Sequence, residues 1–314
     1  MKKQEYRPEG IMDKNDNLYL SSRAGLMRAM NEGKILQARC QMCDAEHSLH
    51  LKLGGINAVI PKEEAAIGIK EKTVKDVAII TRVNKMISFK VKSFSENNGE
   101  TLVYLSRREA QLECEKYIFS NYFPGDVINA RVTHLEQFGA FVDIGCGIVS
   151  MISIDNISVS RIEHPSNRFY PGMEIKAIVK SVDQEGRRIT LSHKELLGTW
   201  KQNADRFKPY QTVSGIVRSI ESYGIFIELA PNLAGLAELT PGISVGDKVS
   251  VFIKSIIPEK MKVKLAIVDV SPEKDVREPF EYFYNAERME SWRYSPDNCE
   301  KVVESSFLPT MIYE

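Results

Sequence analysis

Phe138-Gly-Ala-Phe-Val-Asp-Ile-Gly145 is answered 85 residues later by Tyr223-Gly-Ile-Phe-Ile-Glu-Leu229. Pro124 meets Pro209 and Val132 meets Val217 at the same offset, so the two stretches belong to one duplicated unit. Within it, Ala140, Val142 and Ile144 alternate with Phe141 and Asp143. Ile128, Ala130 and Val132 alternate with Asn129, Arg131 and Thr133, and Ile189 and Leu191 with Arg188 and Thr190. Period-two alternation broken by glycine turns means half-buried strands. About five short strands in a unit of this size predict a small closed barrel, which leaves no exposed sheet edge.

A third, more diverged copy lies upstream. Gly33-Lys-Ile-Leu resembles Gly125-Asp-Val-Ile, and Leu49-His-Leu-Lys-Leu-Gly54 falls on Ala140 to Gly145 at an offset of 91. Ser106-x-x-Glu109 and Ser192-x-x-Glu195 both read as helix-starting capping boxes. After the second, Leu196, Trp200, Ala204 and Phe207 form one apolar face at helical spacing. The predicted fold is mainly β, with three tandem five-stranded closed barrels joined by short helices. The divisions are an N-terminal extension (1–32), a divergent repeat (33–106), a linker helix (107–123), the clearest repeat (124–192), a second linker helix (193–208), a third repeat (209–270) and a non-repeat segment (271–314).

Strand parity points to function. With Ala140, Val142 and Ile144 in the core, Phe141 must face outward, and Phe226 follows the same rule. A bend at Gly139 and Gly224 can bring Phe138 and Tyr223 onto the same outer face. Paired exposed aromatics are costly unless something covers them, and bases stack on such rings for about 1–3 kcal/mol each.

These residues carry a resemblance. Gly125-Asp-Val, Phe138 to Gly145, Pro171-Gly-Met-Glu-Ile, Val182-Asp and Ile189-Thr-Leu-Ser-His-Lys are similar to the S-one domain. That domain is named after the largest protein of the bacterial small ribosomal subunit and also ends polynucleotide phosphorylase. Gly54-Gly-Ile-Asn-Ala-Val-Ile-Pro61 and the segment from Ser192 to Trp200 resemble the ribosomal branch, and the likeness runs over residues 21–270. It implies that each barrel is an OB fold of the S-one type, in a protein that holds single-stranded RNA, messenger RNA above all, in connection with the small ribosomal subunit and translation. The family's surface uses two aromatics, a histidine, an aspartate and an arginine. The aromatics carry over to Phe138 and Phe141 and to Tyr223 and Phe226; the aspartate and arginine carry over to Asp183 and Arg188, with Arg187 one residue away. The histidine does not: Ser153 and Glu238 stand there. In the third repeat Ile257 replaces the aspartate and Lys262 the arginine; the first repeat has His47, His50, Ser95 and Leu102 at the four positions. The middle repeat therefore ranks first.

Other signals are weaker. Cys40-x-x-Cys43-x-x-x-His47-x-x-His50 offers four zinc-type ligands, but three residues between the pairs are too few for the chain to wrap an ion. The repeat alignment instead sets His47 and His50 on Phe138 and Phe141, as a weak stacking platform or a plain solvated strand. In Lys260-Met-Lys-Val-Lys-Leu265, Lys260, Lys262 and Lys264 form either a solvated face or a phosphate-tracking stripe. The acidic, aromatic stretch Glu273–Glu314 suits folding back on the third barrel or docking a protein.

Composition bounds the remainder. The 314 residues carry 42 basic and 42 acidic side chains, which argues against wrapping duplex DNA by charge but not against single-strand binding by stacking. Five scattered cysteines fit reduced thiols, and MKKQEYRPEG shows no signal-peptide pattern, so the expectation is a cytoplasmic protein without membrane partners. There is no phosphate-binding glycine loop, His-Glu-x-x-His motif or nucleophile elbow. No enzyme activity, cofactor or metal is expected. A protein-interaction scaffold or a non-catalytic subunit of an RNA-decay assembly is the alternative.

Overall fold

In the computed structural model, residues 6–97, 99–271 and 279–308 are described. The first barrel consists of β1 (Leu36–Cys43), β2 (Leu49–Leu53), β3 (Ile56–Ile60), β4 (Met86–Asn97) and β5 (Glu100–Ser106). The middle barrel has β6 (Val127–Glu136), β7 (Gly139–Asp143), β8 (Val149–Ser153), β9 (Glu174–Asp183) and β10 (Arg188–Ser192). The third has β11 (Thr212–Glu221), β12 (Gly224–Ala230), β13 (Leu233–Ala237), β14 (Lys248–Ile257) and β15 (Lys262–Val270). All three close in the same cyclic order, first strand to second, third, fifth and fourth. The third-to-fifth pairing is parallel, as in Thr190↔Met151 and Leu236↔Lys264. Bulges at Cys40/Met42 in β1 and Val217/Ser219 in β11 bend the long opening strands around small barrels.

Chain contacts divide the molecule into two compact units. One contains residues up to 122 together with 129–131 and 143–149. In it, α1 (Asp16–Leu20) and α2 (Arg23–Glu32) lead into the first barrel, a one-turn α3 (Val77–Ile80) follows β3, and α4 (Arg107–Asn121) leaves β5. Leu49, Leu51, Leu53, Ile87, Phe89, Val103 and Leu105 fill the barrel, with Leu26 and Ala29 of α2 packed against it. Ser106 caps α4 by accepting the Glu109 N–H at 2.9 Å. The return half of the expected capping box is absent, because the Glu109 carboxylate pairs with Lys92.

Asp143 departs from expectation. Alternation sends it outward, yet it is 2% exposed. The N-terminal segment lies over it: Asp143 accepts hydrogen bonds from the backbone N–H of Glu9 at 2.6 Å and of Gly145 at 2.8 Å. Glu9 in turn meets Arg107 through two bonds of 2.7 and 3.0 Å. Periodicity records only which face of a strand a residue takes, and a covering segment from far away in sequence can bury either face.

The second unit holds the rest of the middle barrel, the third barrel and the C-terminal segment. The expected single linker helix is two pieces. Lys194–Leu197 forms a 3-10 turn, Gly198 breaks it, and α5 spans only Trp200–Ala204. The capping box sits at Thr199 and Gln202, while Ser192 ends β10 and donates to the Glu195 carboxylate. Leu196, Trp200 and Ala204 still share one core with Val217, Ile225 and Ile253 of the third barrel. The described part of the C-terminal segment packs back into this unit. Residues Glu287 and Met289 pair with Val127 and Gly125, and Trp200 N–H donates to Tyr294. A short hairpin, β16 (Ser291–Arg293) with β17 (Glu304–Ser306), follows. Its Trp292 joins that core. The stretch read as Glu273–Glu314 lies partly outside the described residues.

Candidate nucleic-acid interface

Two aromatic pairs repeat one geometry. Phe138 and Phe141 have ring centroids 6.0 Å apart and planes at 88°; for Tyr223 and Phe226 the values are 6.0 Å and 90°. Phe138 is 56% and Tyr223 67% exposed, while Phe141 and Phe226 lie half-buried between neighbouring strands. The glycine between the rings is required for a reason the sequence did not disclose. A Cβ on Gly139 would stand 2.4 Å from the Ile152 carbonyl oxygen, and one on Gly224 2.6 Å from that of Ala237. Close backbone approach of the next strand, more than a bend, excludes any side chain there.

The barrel registers place the other candidates. Around the outer face of the third barrel, cross-strand partners run Ser219, Phe226, Leu236, Lys264, Ser255. Lys264 thus shares a row with Phe226, two strands away, and Lys262 precedes it on the same exposed side of β15. Lys260 lies in the turn before the strand. In the middle barrel Asp183 and Arg188 are direct partners at the tip of β9 and β10. Both are exposed. Asp183 also accepts the Gly186 N–H at 2.9 Å, so it shapes the turn in which Arg187 takes a left-handed φ of 50°. Ser153 accepts a bond from Asn156 at 2.8 Å, and Glu238 is held by Lys254 at 2.9 Å. That lysine keeps the Glu238 carboxyl below its ordinary pKa and offsets its charge.

His134 was missed by sequence reasoning. It lies 6.3 Å from Phe141 with planes only 24° apart, which extends the middle platform to three rings. Its Nε2 meets the Glu136 carboxylate at 2.6 Å. Counting the β6–β7 hairpin register would have found it, since the matching residue of the third barrel, Ser219, is the partner of Phe226.

The first barrel is different. Its row reads Met42, His50, Val59, Tyr104, Ser93. His50 stands where Phe226 does, but its Nε2 is engaged by Asp44 at 2.7 Å. His47 is not on the strand; it sits in the preceding turn with φ 63°. Cys40 points into the barrel core, opposite to His50. Among the described residues no group of three or more His, Cys, Asp or Glu side chains could hold a metal. The exposed aromatic of this face is Tyr104, on the fifth strand.

Residues 121–194 match the S1 RNA binding domain family. Over 199 residues the chain is 32% identical to the small ribosomal subunit protein bS1 homolog of Bacillus subtilis, covering 58% of this chain and 51% of that protein. It is 31% identical over 208 residues to small ribosomal subunit protein bS1 of Staphylococcus aureus, covering 61% and 52%. The chain thus spans about half the length of the curated relatives it matches. Among solved structures, GSP13 of Bacillus subtilis is 26% identical, with 23% of this chain and 55% of that chain covered and a TM-score of 0.22. No helix among the described residues is long and apolar enough to cross a membrane.

Proposed function

We propose that this chain binds single-stranded RNA, messenger RNA in particular, by stacking bases on outward aromatic pairs, and that it does so in translation beside the small ribosomal subunit. The observation that carries the reading is the twin geometry of Phe138 with Phe141 and Tyr223 with Phe226, with one ring of each pair exposed and the other half-buried on the outer face. Stacking tolerates any base, so sequence preference is weak. Asp183, Arg187 and Arg188 fix the backbone on the middle barrel, and Lys262 and Lys264 on the third. His47, His50 and Lys260 contribute less. The binding units are the repeats 33–106, 124–192 and 209–270. The chain is a cytoplasmic binding protein and not an enzyme.

Similarity to bS1 proteins supports the link to translation. The alternative of a scaffold that docks partners through its acidic tail is weakened, because Tyr282, Trp292 and Tyr294 of that tail pack on the chain's own barrels and linker. The test is sucrose-gradient fractionation of cell extract with and without RNase, for wild type and for Phe141→Ala with Phe226→Ala. Co-migration of wild type with small subunits and loss in the double variant are expected. Migration with a nuclease assembly instead would favour a decay subunit.

A further inference from the structure

Each repeat opens with a residue in the left-handed backbone region. In the first two it is glycine, Gly33 at φ 62° and Gly125 at φ 93°; in the third it is Tyr210 at φ 70°. A side chain disfavours this conformation, so a tyrosine held there is an outlier to be explained. Its ring is 78% exposed, the most of any large apolar side chain described, and stands 6.4 Å from Phe252.

The middle barrel shows what this surface accepts when it carries glycine. There the backbone of 287–289 lies against the strand opening: Met289 N–H donates to Gly125 and Val127 N–H to Glu287. A Cβ on Gly125 would come within 2.1 Å of the Met289 oxygen. Tyr210 therefore forbids the same polypeptide approach on the third barrel and presents a ring instead. The outer faces of β14 and β15 connect that ring to the pair already described. Phe252 is partnered with Ala266, and Lys254 and Lys264 follow on the same side. Lys264 closes the row that contains Phe226. Lys254 is tied to Glu238 only by an exposed ion pair, which a phosphate can displace.

We propose that Tyr210 and Phe252 form a second base-stacking site on the third barrel, occupied by the same RNA strand that stacks on Tyr223 and Phe226 after it has crossed Lys264 and Lys254. This rests on the RNA-binding reading above. On β11 the partner of Phe252 is Thr212 and that of Phe226 is Ser219, so the two sites lie seven residues, or roughly 23 Å at about 3.3 Å per residue, apart along the strand, and only a longer oligonucleotide reaches both.

The test uses the full chain carrying Phe138→Ala with Phe141→Ala, which leaves the third barrel as the main platform, with fluorescent single-stranded RNAs of about 4 and about 12 nucleotides, within the range of known OB-type site sizes. Tyr210→Gly installs the residue that the other repeats carry, so the variant folds, which a thermal melt checks. It should weaken the longer RNA by about five- to a hundredfold and leave the shorter one unchanged. Tyr210→Phe should bind both like the parent, and Phe226→Ala should weaken both. If Tyr210→Gly binds the longer RNA like the parent while Phe226→Ala is weakened, the second site does not exist. Self-association of Tyr210→Gly with unchanged RNA affinity would likewise overturn it, showing that the ring merely guards a strand edge. If neither variant loses affinity, the RNA-binding reading itself fails.

Discussion

The Arg168 guanidinium, carried by the long connection between β8 and β9 of the middle barrel, closes on the Glu228 carboxylate in β12 of the third. Both side chains are buried, at 2% and 6% exposure, and Arg218 adds bonds of 2.9 and 3.1 Å to the same carboxylate. Glu228 lies 85 residues after Asp143, so the matching position in both barrels is a buried acid that anchors a segment from elsewhere in the chain.

Removing one partner of such a buried set leaves charge without compensation. Glu228→Ala should therefore destabilise the chain by about 3–5 kcal/mol in urea unfolding. Exposed pairs such as Lys201–Asp205 should contribute little: Lys201→Ala should fall within about 0.5 kcal/mol of wild type. Equal effects of the two substitutions would contradict the anchoring role.

Stacking and charge should separate on the middle barrel. Each phosphate contact on a single strand adds about −0.7 to the slope of log affinity against log salt, and Arg187 and Arg188 offer few contacts, so an isolated middle repeat should show a slope on the order of −1 to −2. Phe141→Ala should cost about 1–3 kcal/mol of binding with the slope nearly unchanged, whereas Arg188→Ala should flatten it. Anisotropy titrations at several salt concentrations read both quantities. A steep slope with Phe141→Ala binding like wild type would remove the aromatic platform from consideration.

The barrels should rank unequally. His50 is held by Asp44, while Phe138, Phe141 and His134 form an open three-ring surface. In the full chain, Phe138→Ala with Phe141→Ala should weaken single-stranded RNA binding far more than His50→Ala. Tyr104→Ala should exceed His50→Ala in effect, since Tyr104 is the exposed ring of the first barrel. A larger loss from His50→Ala than from the double variant would reverse the ranking.

His193 should make stability depend on pH. It is fully buried among Phe169, Phe280 and Tyr282, and burial pushes its pKa down to about 4 from 6.5. Below pH 6.5 the unfolded chain binds a proton that the folded chain refuses. Stability is thus full above pH 6.5 and falls as pH drops toward 4, by about 3 kcal/mol in total from this group. Urea midpoints measured across that window should decline in wild type and decline less in His193→Phe. Identical pH profiles for the two proteins would show that His193 titrates normally.

The local code of the sequence determined the barrels and their count. Alternation within short strands fixes which side of Ala140, Val142 and Ile144 is apolar, and the 85-residue echo at Ile225 and Ile227 repeats the instruction, so the strands, their inward faces and the repetition of one unit are legible locally, whereas closure by the parallel third-to-fifth pairing joins residues far apart in sequence. The same parity placed Phe141 and Phe226 outward. Tertiary structure decided what strand periodicity cannot encode, namely which outward residues stay outside. Asp143 and Glu228 obey the alternation, yet the N-terminal segment and a loop of the preceding barrel bury them. His134 and Tyr104 take their neighbours on the outer face only through cross-strand register, which depends on bulges and loop lengths that separate the partners in sequence. Linker shape likewise depended on Gly198, where the backbone turns left-handed and divides an apolar face that its spacing alone would have made one helix.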